Sequence, residues 1–162
     1  MTAVIRLLAA FLSRIAGVAL VGMVLVEVAD VGLRNVLGIP TVGAYEMIEL
    51  LLAAVGFLAI PEAFLRDSHI TVELIDQVVP ARAVDWLRVF GGLLVLVYLV
   101  LLTWKMVQPA LDYADFGEVT IELGVPLVIP AIAILTGIGV SILTAAVLFA
   151  RELARLRRGG GA

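Results

Sequence analysis

The chain has 162 residues, 63% of them apolar and 15% charged, with no cysteine, one histidine and a formal net charge of -3. Soluble domains carry about 25% charged residues, and the longest polar connections here run to about twenty residues, so little is left for a soluble domain or for an enzyme held by an anchor. The lack of cysteine excludes disulfides and thiolate metal sites, and a lone His69 excludes a bis-histidine haem within the chain.

Four long apolar stretches dominate, at roughly residues 13–35, 43–65, 86–107 and 123–150. The last holds 28 consecutive uncharged residues, and about 20 suffice for a helix to cross a ~30 Å hydrocarbon layer. Lipid offers no partner to backbone amides, so such segments become helices or closed barrels. These stretches are too long and too evenly apolar for barrel strands, which alternate over ~10 residues. The predicted fold class is therefore all-α and integral to the membrane, a single domain over residues 1–162 with four transmembrane helices.

Before helix 1, Arg6 and Arg14 precede an apolar run, as they would in a signal peptide. The mostly apolar run from Phe11 exceeds the usual signal length and shows no clear small-x-small cleavage site before Glu27, so the segment is expected to remain as helix 1. Between helices 2 and 3, Ile70, Leu74, Ile75, Val78 and Val79 recur at helical spacing, opposite Thr71, Glu73, Asp76 and Gln77. This pattern predicts a short amphipathic helix over 69–79 lying on the membrane surface, ended by Pro80. Trp86 and Trp104 stand 18 residues apart, or ~27 Å along a helix, the spacing of aromatic anchors at two interfaces. Residues 108–122 read as a loop, and residues 152–162 as a flexible tail.

Nine of the eleven basic residues fall on one side of this arrangement: Arg6, Arg14, Arg66, Arg82, Arg88, Arg151, Arg155, Arg157 and Arg158. Positive loops stay in the cytoplasm, which predicts both termini inside. The 108–122 connection is then outside. It carries Asp112, Asp115, Glu118 and Glu122 with no basic residue, and reads either as a solvated connection or as a docking surface for a periplasmic partner.

Charges within the spans cost about 2.5–3.5 kcal/mol each at a helix centre. Glu27, Asp30 and Arg34 in helix 1, Glu46 and Glu49 in helix 2 and Lys105 in helix 3 all belong to the outer half. Asp30 and Arg34 are four residues apart and can pair along the helix. Three readings stand: these groups tie helices or meet a partner protein, Glu27 or Asp30 serves as an ion or proton site, or the side chains snorkel to the headgroups. In helix 4, Gly137, Ser141 and Ala145 repeat every four residues, a stripe that lets another helix approach closely. A single imidazole with no cluster around it is read as a loop-orienting group, so no metal and no cofactor are expected. No phosphate-binding loop, catalytic triad or basic nucleic-acid patch is present.

One block goes beyond composition: Arg34-Asn35, Gly38, Glu46, then Arg66-Asp67-Ser68-His69-Ile70-Thr71-Val72-Glu73-Leu74, and Pro80. It resembles the small (DctQ-type) membrane subunit of the tripartite ATP-independent periplasmic (TRAP) transporter family. The family's Arg-x-x-His-Ile-x-Val-acid-Leu stretch is matched by Arg66, His69, Ile70, Val72 and Glu73, and its proline-containing lead-in to helix 4 by Pro126 and Pro130. Members often carry two adjacent acids opening helix 2, where this chain has Tyr45-Glu46.

The resemblance implies a non-catalytic accessory subunit of an ion-driven symporter of organic acids in the bacterial inner membrane. Its implied partners are a large multi-helix permease subunit, a periplasmic solute-binding protein and membrane lipids. The rival readings are a self-sufficient homo-oligomeric exporter using Glu27 or Asp30 as coupling acid, and a structural anchor subunit of a larger complex.

Overall fold

The structure, a computed structural model, describes residues 3–39, 41–66 and 81–159; for 81–85 and 157–159 it describes the backbone alone. The described residues form four helices: α1 (Ala3–Leu37), α2 (Ala44–Arg66), α3 (Ala81–Phe116) and α4 (Val128–Gly159). All four are long and apolar enough to cross a membrane. Among the described residues there is no strand, only an isolated antiparallel bridge between Val119 and Pro126.

The turns explain where the helices stop. Arg34 O accepts from the Gly38 N–H at 3.1 Å, and Gly38 has φ +68°. A glycine just past the last turn adopts this left-handed conformation without the Cβ penalty and satisfies an otherwise orphaned carbonyl. Gly117, φ +63°, follows the end of α3 in the same way. Pro130 sits in the first turn of α4, where its missing N–H costs nothing.

Three expectations shift. α3 does not stop near residue 107 but runs through Pro109 to Phe116, so Asp112 and Asp115 stand on helix rather than loop. Acidity there marks solvation, which a helix tolerates as well as a coil does; Gln108 and Asp112, one turn apart, interact at 3.5 Å. α4 likewise runs on to Gly159 through the segment expected to be a tail. Its Glu, Leu, Ala and Arg residues are good helix formers, and Arg155 pairs with Glu152. Arg14, expected before or at the start of helix 1, lies well inside α1, because the apolar pattern extends back to Ala3. The predicted surface helix over 69–79 falls outside the described residues.

The helices form a row, not a closed bundle. α1 packs on α2, α2 on α4, and α4 on α3, with a marginal touch between α1 and α4. Among the described residues the backbone of α3 approaches neither α1 nor α2 within 8 Å. Each seam is small. Leu12 and Ala16 of α1 meet Leu58 of α2, and Leu99 of α3 meets Ile138 and Ala145 of α4, with Phe57 and Phe64 of α2 against them. At the α2–α4 seam a Cβ on Gly137 would overlap the Phe57 carbonyl. The glycine therefore allows backbone-to-backbone approach, which is how helices associate where lipid supplies no hydrophobic push.

The outer helices of the row leave apolar surface uncovered. Leu7, Phe11, Val18 and Val28 of α1 and Phe90, Leu94, Tyr98 and Leu101 of α3 are all more than half, or about half, exposed. In water such surface would be prohibitive; among acyl chains or against another membrane protein it is ordinary.

Candidate functional surface at the acidic end

One end of the row gathers the carboxylates, and three of them, Asp30, Glu46 and Glu122, are engaged with backbone. Asp30, on the last turns of α1 and only 5% exposed, accepts from Arg34 at 2.6 Å and from the Thr41 N–H at 2.9 Å. The expected i,i+4 pair is thus present, and it also ties the end of α1 to the turn leading into α2. The Arg34 guanidinium lies 5.9 Å from the Tyr45 ring centroid, within range of a cation–π contact.

A second tie reaches much further along the chain. Glu46, in the first turn of α2, accepts from the N–H groups of Glu122 and Leu123, both at 2.9 Å. In return, the Glu122 carboxylate accepts from the Gly43 N–H at 2.6 Å, beside the start of α2. Each glutamate holds backbone of the segment that carries the other, and charge-assisted bonds of this kind are about twice as strong as neutral ones. Gly43 completes the fit. Its φ is +77°, and a Cβ there would lie 2.5 Å from Leu123 Cδ2.

This clasp fixes the α3–α4 connection. Thr120 N–H donates to Val125 O at 2.9 Å, Leu127 N–H to Glu118 O at 3.0 Å, and Val125 N–H to Thr120 Oγ1 at 3.0 Å. The result is an ordered hairpin rather than a loose loop. Asp115 and Glu118 are exposed beside it, whereas Glu122, expected among the docking acids, spends its carboxylate on Gly43.

The remaining charged candidates are scattered. Glu27 is exposed on α1. Glu49 lines a cleft of about 210 Å³ between α2, α3 and α4, together with Glu46, Tyr113, Thr120, Met106 and Ile134. Lys105 is not among them; it lies 5.4 Å from the Trp104 ring on the exposed side of α3. The stripe of Gly137, Ser141 and Ala145 is buried, with Ser141 Oγ donating to Gly137 O at 2.7 Å. At the opposite end Arg66 bonds Glu62 at 2.9 Å. His69, Ile70, Val72 and Glu73 lie outside the described residues. Among the described residues no group of three His, Asp or Glu side chains is placed to hold a metal ion.

Sequence reasoning missed the Glu46–Glu122 clasp. A faint signal existed: Glu46 sits at the third residue of α2, where a carboxylate faces free helical N–H groups and the positive end of the helix dipole. Its use on a segment 76 residues away is not visible in the chain.

Four membrane-length apolar helices define a multi-pass membrane protein. Residues 23–155 match the family model of the tripartite ATP-independent periplasmic transporters, DctQ component, and the chain belongs to that family, the small membrane component of TRAP transporters. This is a transporter-subunit family, not an enzyme family. No curated protein and no solved structure matches the chain.

Proposed function

We propose that the chain is the accessory subunit of a secondary, ion-gradient-driven importer of organic acids. It packs on and steadies a large multi-helix permease subunit and helps dock the periplasmic solute-binding protein. It resides in the bacterial inner membrane with both termini and the arginine-rich end in the cytoplasm, so the acidic end faces the periplasm.

The observation that carries this reading is the open row. The order α1–α2–α4–α3 leaves the outer helices with uncovered apolar surface, and the hydroxyls of Thr103, Ser141 and Thr144 each donate to a carbonyl one turn back on their own helix. Transporters instead build substrate sites from broken helices near the bilayer midplane. Unbroken helices whose central hydroxyls are spent on their own backbone fit a scaffold piece laid against a larger protein. The self-sufficient transporter reading is weakened by Asp30, whose two oxygens are committed to Arg34 and Thr41.

Two measurements test it. The chain, expressed with the large permease subunit, is expected to co-purify with it in detergent at fixed stoichiometry. Reconstituted alone in liposomes it is expected to move no solute, while the complex with binding protein does. Uptake by the chain alone overturns the accessory role.

A further inference from the structure

The acidic-end hairpin presents one side chain for which the fold has no use. Ile121 is 98% exposed at its tip. It stands between Thr120 and Glu122, and the N–H groups of both are bonded, one to Val125 O and the other to the Glu46 carboxylate. Phe116 and Val119, nearby in the chain, are 77% and 51% exposed. A clasp of two carboxylates, a bridge and a threonine-stabilised turn thus hold an apolar group rigidly away from the protein's own packing.

We propose that Ile121 is a preformed knob that seats in an apolar socket on the periplasmic solute-binding protein, a socket rimmed by lysine and arginine. This rests on the assignment of the acidic end to the periplasm and to docking under the proposed function. Two observations choose the occupant. The first is charge. Asp115 and Glu118 are exposed beside the knob, Asp112 lies one turn back on α3, and no basic residue occurs from 106 to 127.

Elements that dip into membrane surfaces carry basic residues around their apolar tip. An acidic collar instead matches a cationic protein surface, steering its approach and excluding wrong partners. The second observation is rigidity. A docking group fixed before contact has little conformational freedom to lose on binding, and a single desolvated apolar anchor inside a polar rim is the usual form of an energetic hot spot. The clasp therefore has a role in docking as well as in folding: Glu46 and Glu122 set the height and direction of Ile121.

The test is solute uptake by proteoliposomes holding the complete membrane complex, measured against the concentration of added binding protein. Ile121→Ala is expected to raise the half-saturating concentration roughly tenfold and Ile121→Asp by more, with the maximal rate retained, the scale set by removing one buried aliphatic side chain. Ile121→Leu is expected to stay within about twofold, since apolar volume is kept. Because the side chain is exposed, all three variants are expected to co-purify with the large subunit as wild type does.

A benzophenone amino acid at position 121 is expected to crosslink to the binding protein, and added salt to weaken binding by the wild type. Unchanged saturation in Ile121→Asp, or crosslinks only to lipid, to the large subunit or to a second copy of this chain, overturns the proposal. Neither result touches the accessory-subunit reading, which fails instead if the large subunit does not co-purify.

Discussion

The two ends of the helical row use charge in opposite ways. At the arginine-rich end, Arg66 pairs with Glu62 and Arg155 with Glu152, each within its own helix and each with an exposed guanidinium. At the acidic end, Asp30, Glu46 and Glu122 accept from backbone N–H groups 11, 76 and 79 residues away. Local surface pairs contribute little to stability, typically below 1 kcal/mol. Carboxylates bonded to distant backbone hold separate elements in place. The acidic end is thus tied across elements by its carboxylates, whereas the Arg66–Glu62 and Arg155–Glu152 pairs are local.

The sharpest way to break the comparison is Gly43→Ala. The substitution imposes a left-handed φ on a residue with a Cβ, at about 1–3 kcal/mol, and drives that Cβ into Leu123. The leucine tip can move, so the total is expected at about 2–4 kcal/mol, read as a lower melting temperature in detergent by circular dichroism. A glycine with open space around it, such as Gly17, is the control. Gly17→Ala is expected to leave melting unchanged or slightly raised, because alanine favours the helix. Equal losses at both positions would mean that the clasp does not hold the hairpin.

Next in size is Glu46→Ala, which leaves two backbone N–H groups without their acceptor. A fall in melting temperature of roughly 4–8 °C is expected. Glu122→Ala removes one bond, to Gly43, and is expected to cost about half as much. The double variant is expected to fall short of the sum, since the two glutamates fix the same pair of segments. Strict additivity would show two independent caps rather than one reciprocal tie.

How much of this was legible follows from the physics of each feature. The four spans were, because an uncharged run of 28 residues has few alternatives. The Asp30–Arg34 pair was too, because i,i+4 neighbours meet on any helix. The order of the row was not. Its helices are apolar nearly all round, so periodicity does not say which face meets which neighbour. α2 and α4 become adjacent through one close backbone approach at Gly137 and Phe57, and the small-residue stripe announces that some helix comes near without naming it. The length of α3 was hidden by Pro109 and the acids beyond it, which read as a loop although helical spacing also joins Gln108 to Asp112. The clasp was hidden because its partners are backbone groups, which carry no sequence signature.

The smallest expected effect lies at the other end. Glu62→Gln removes the charge that faces Arg66 across one turn of α2. The guanidinium is largely exposed, with 76% of the side chain accessible, so water and salt already screen the pair. Glutamine keeps the carbonyl that Arg66 Nε–H can use, and the loss is expected at about 0.5 kcal/mol or less. The melting temperature should move by less than about 2 °C, and 0.5 M salt should erase the difference. Salt should affect Glu46→Ala far less, since its lost partners are uncharged amides. If Glu62→Gln instead destabilised the protein as much as Glu46→Ala, the arginine end would have to be held by that ion pair, and the contrast between the two ends would fail.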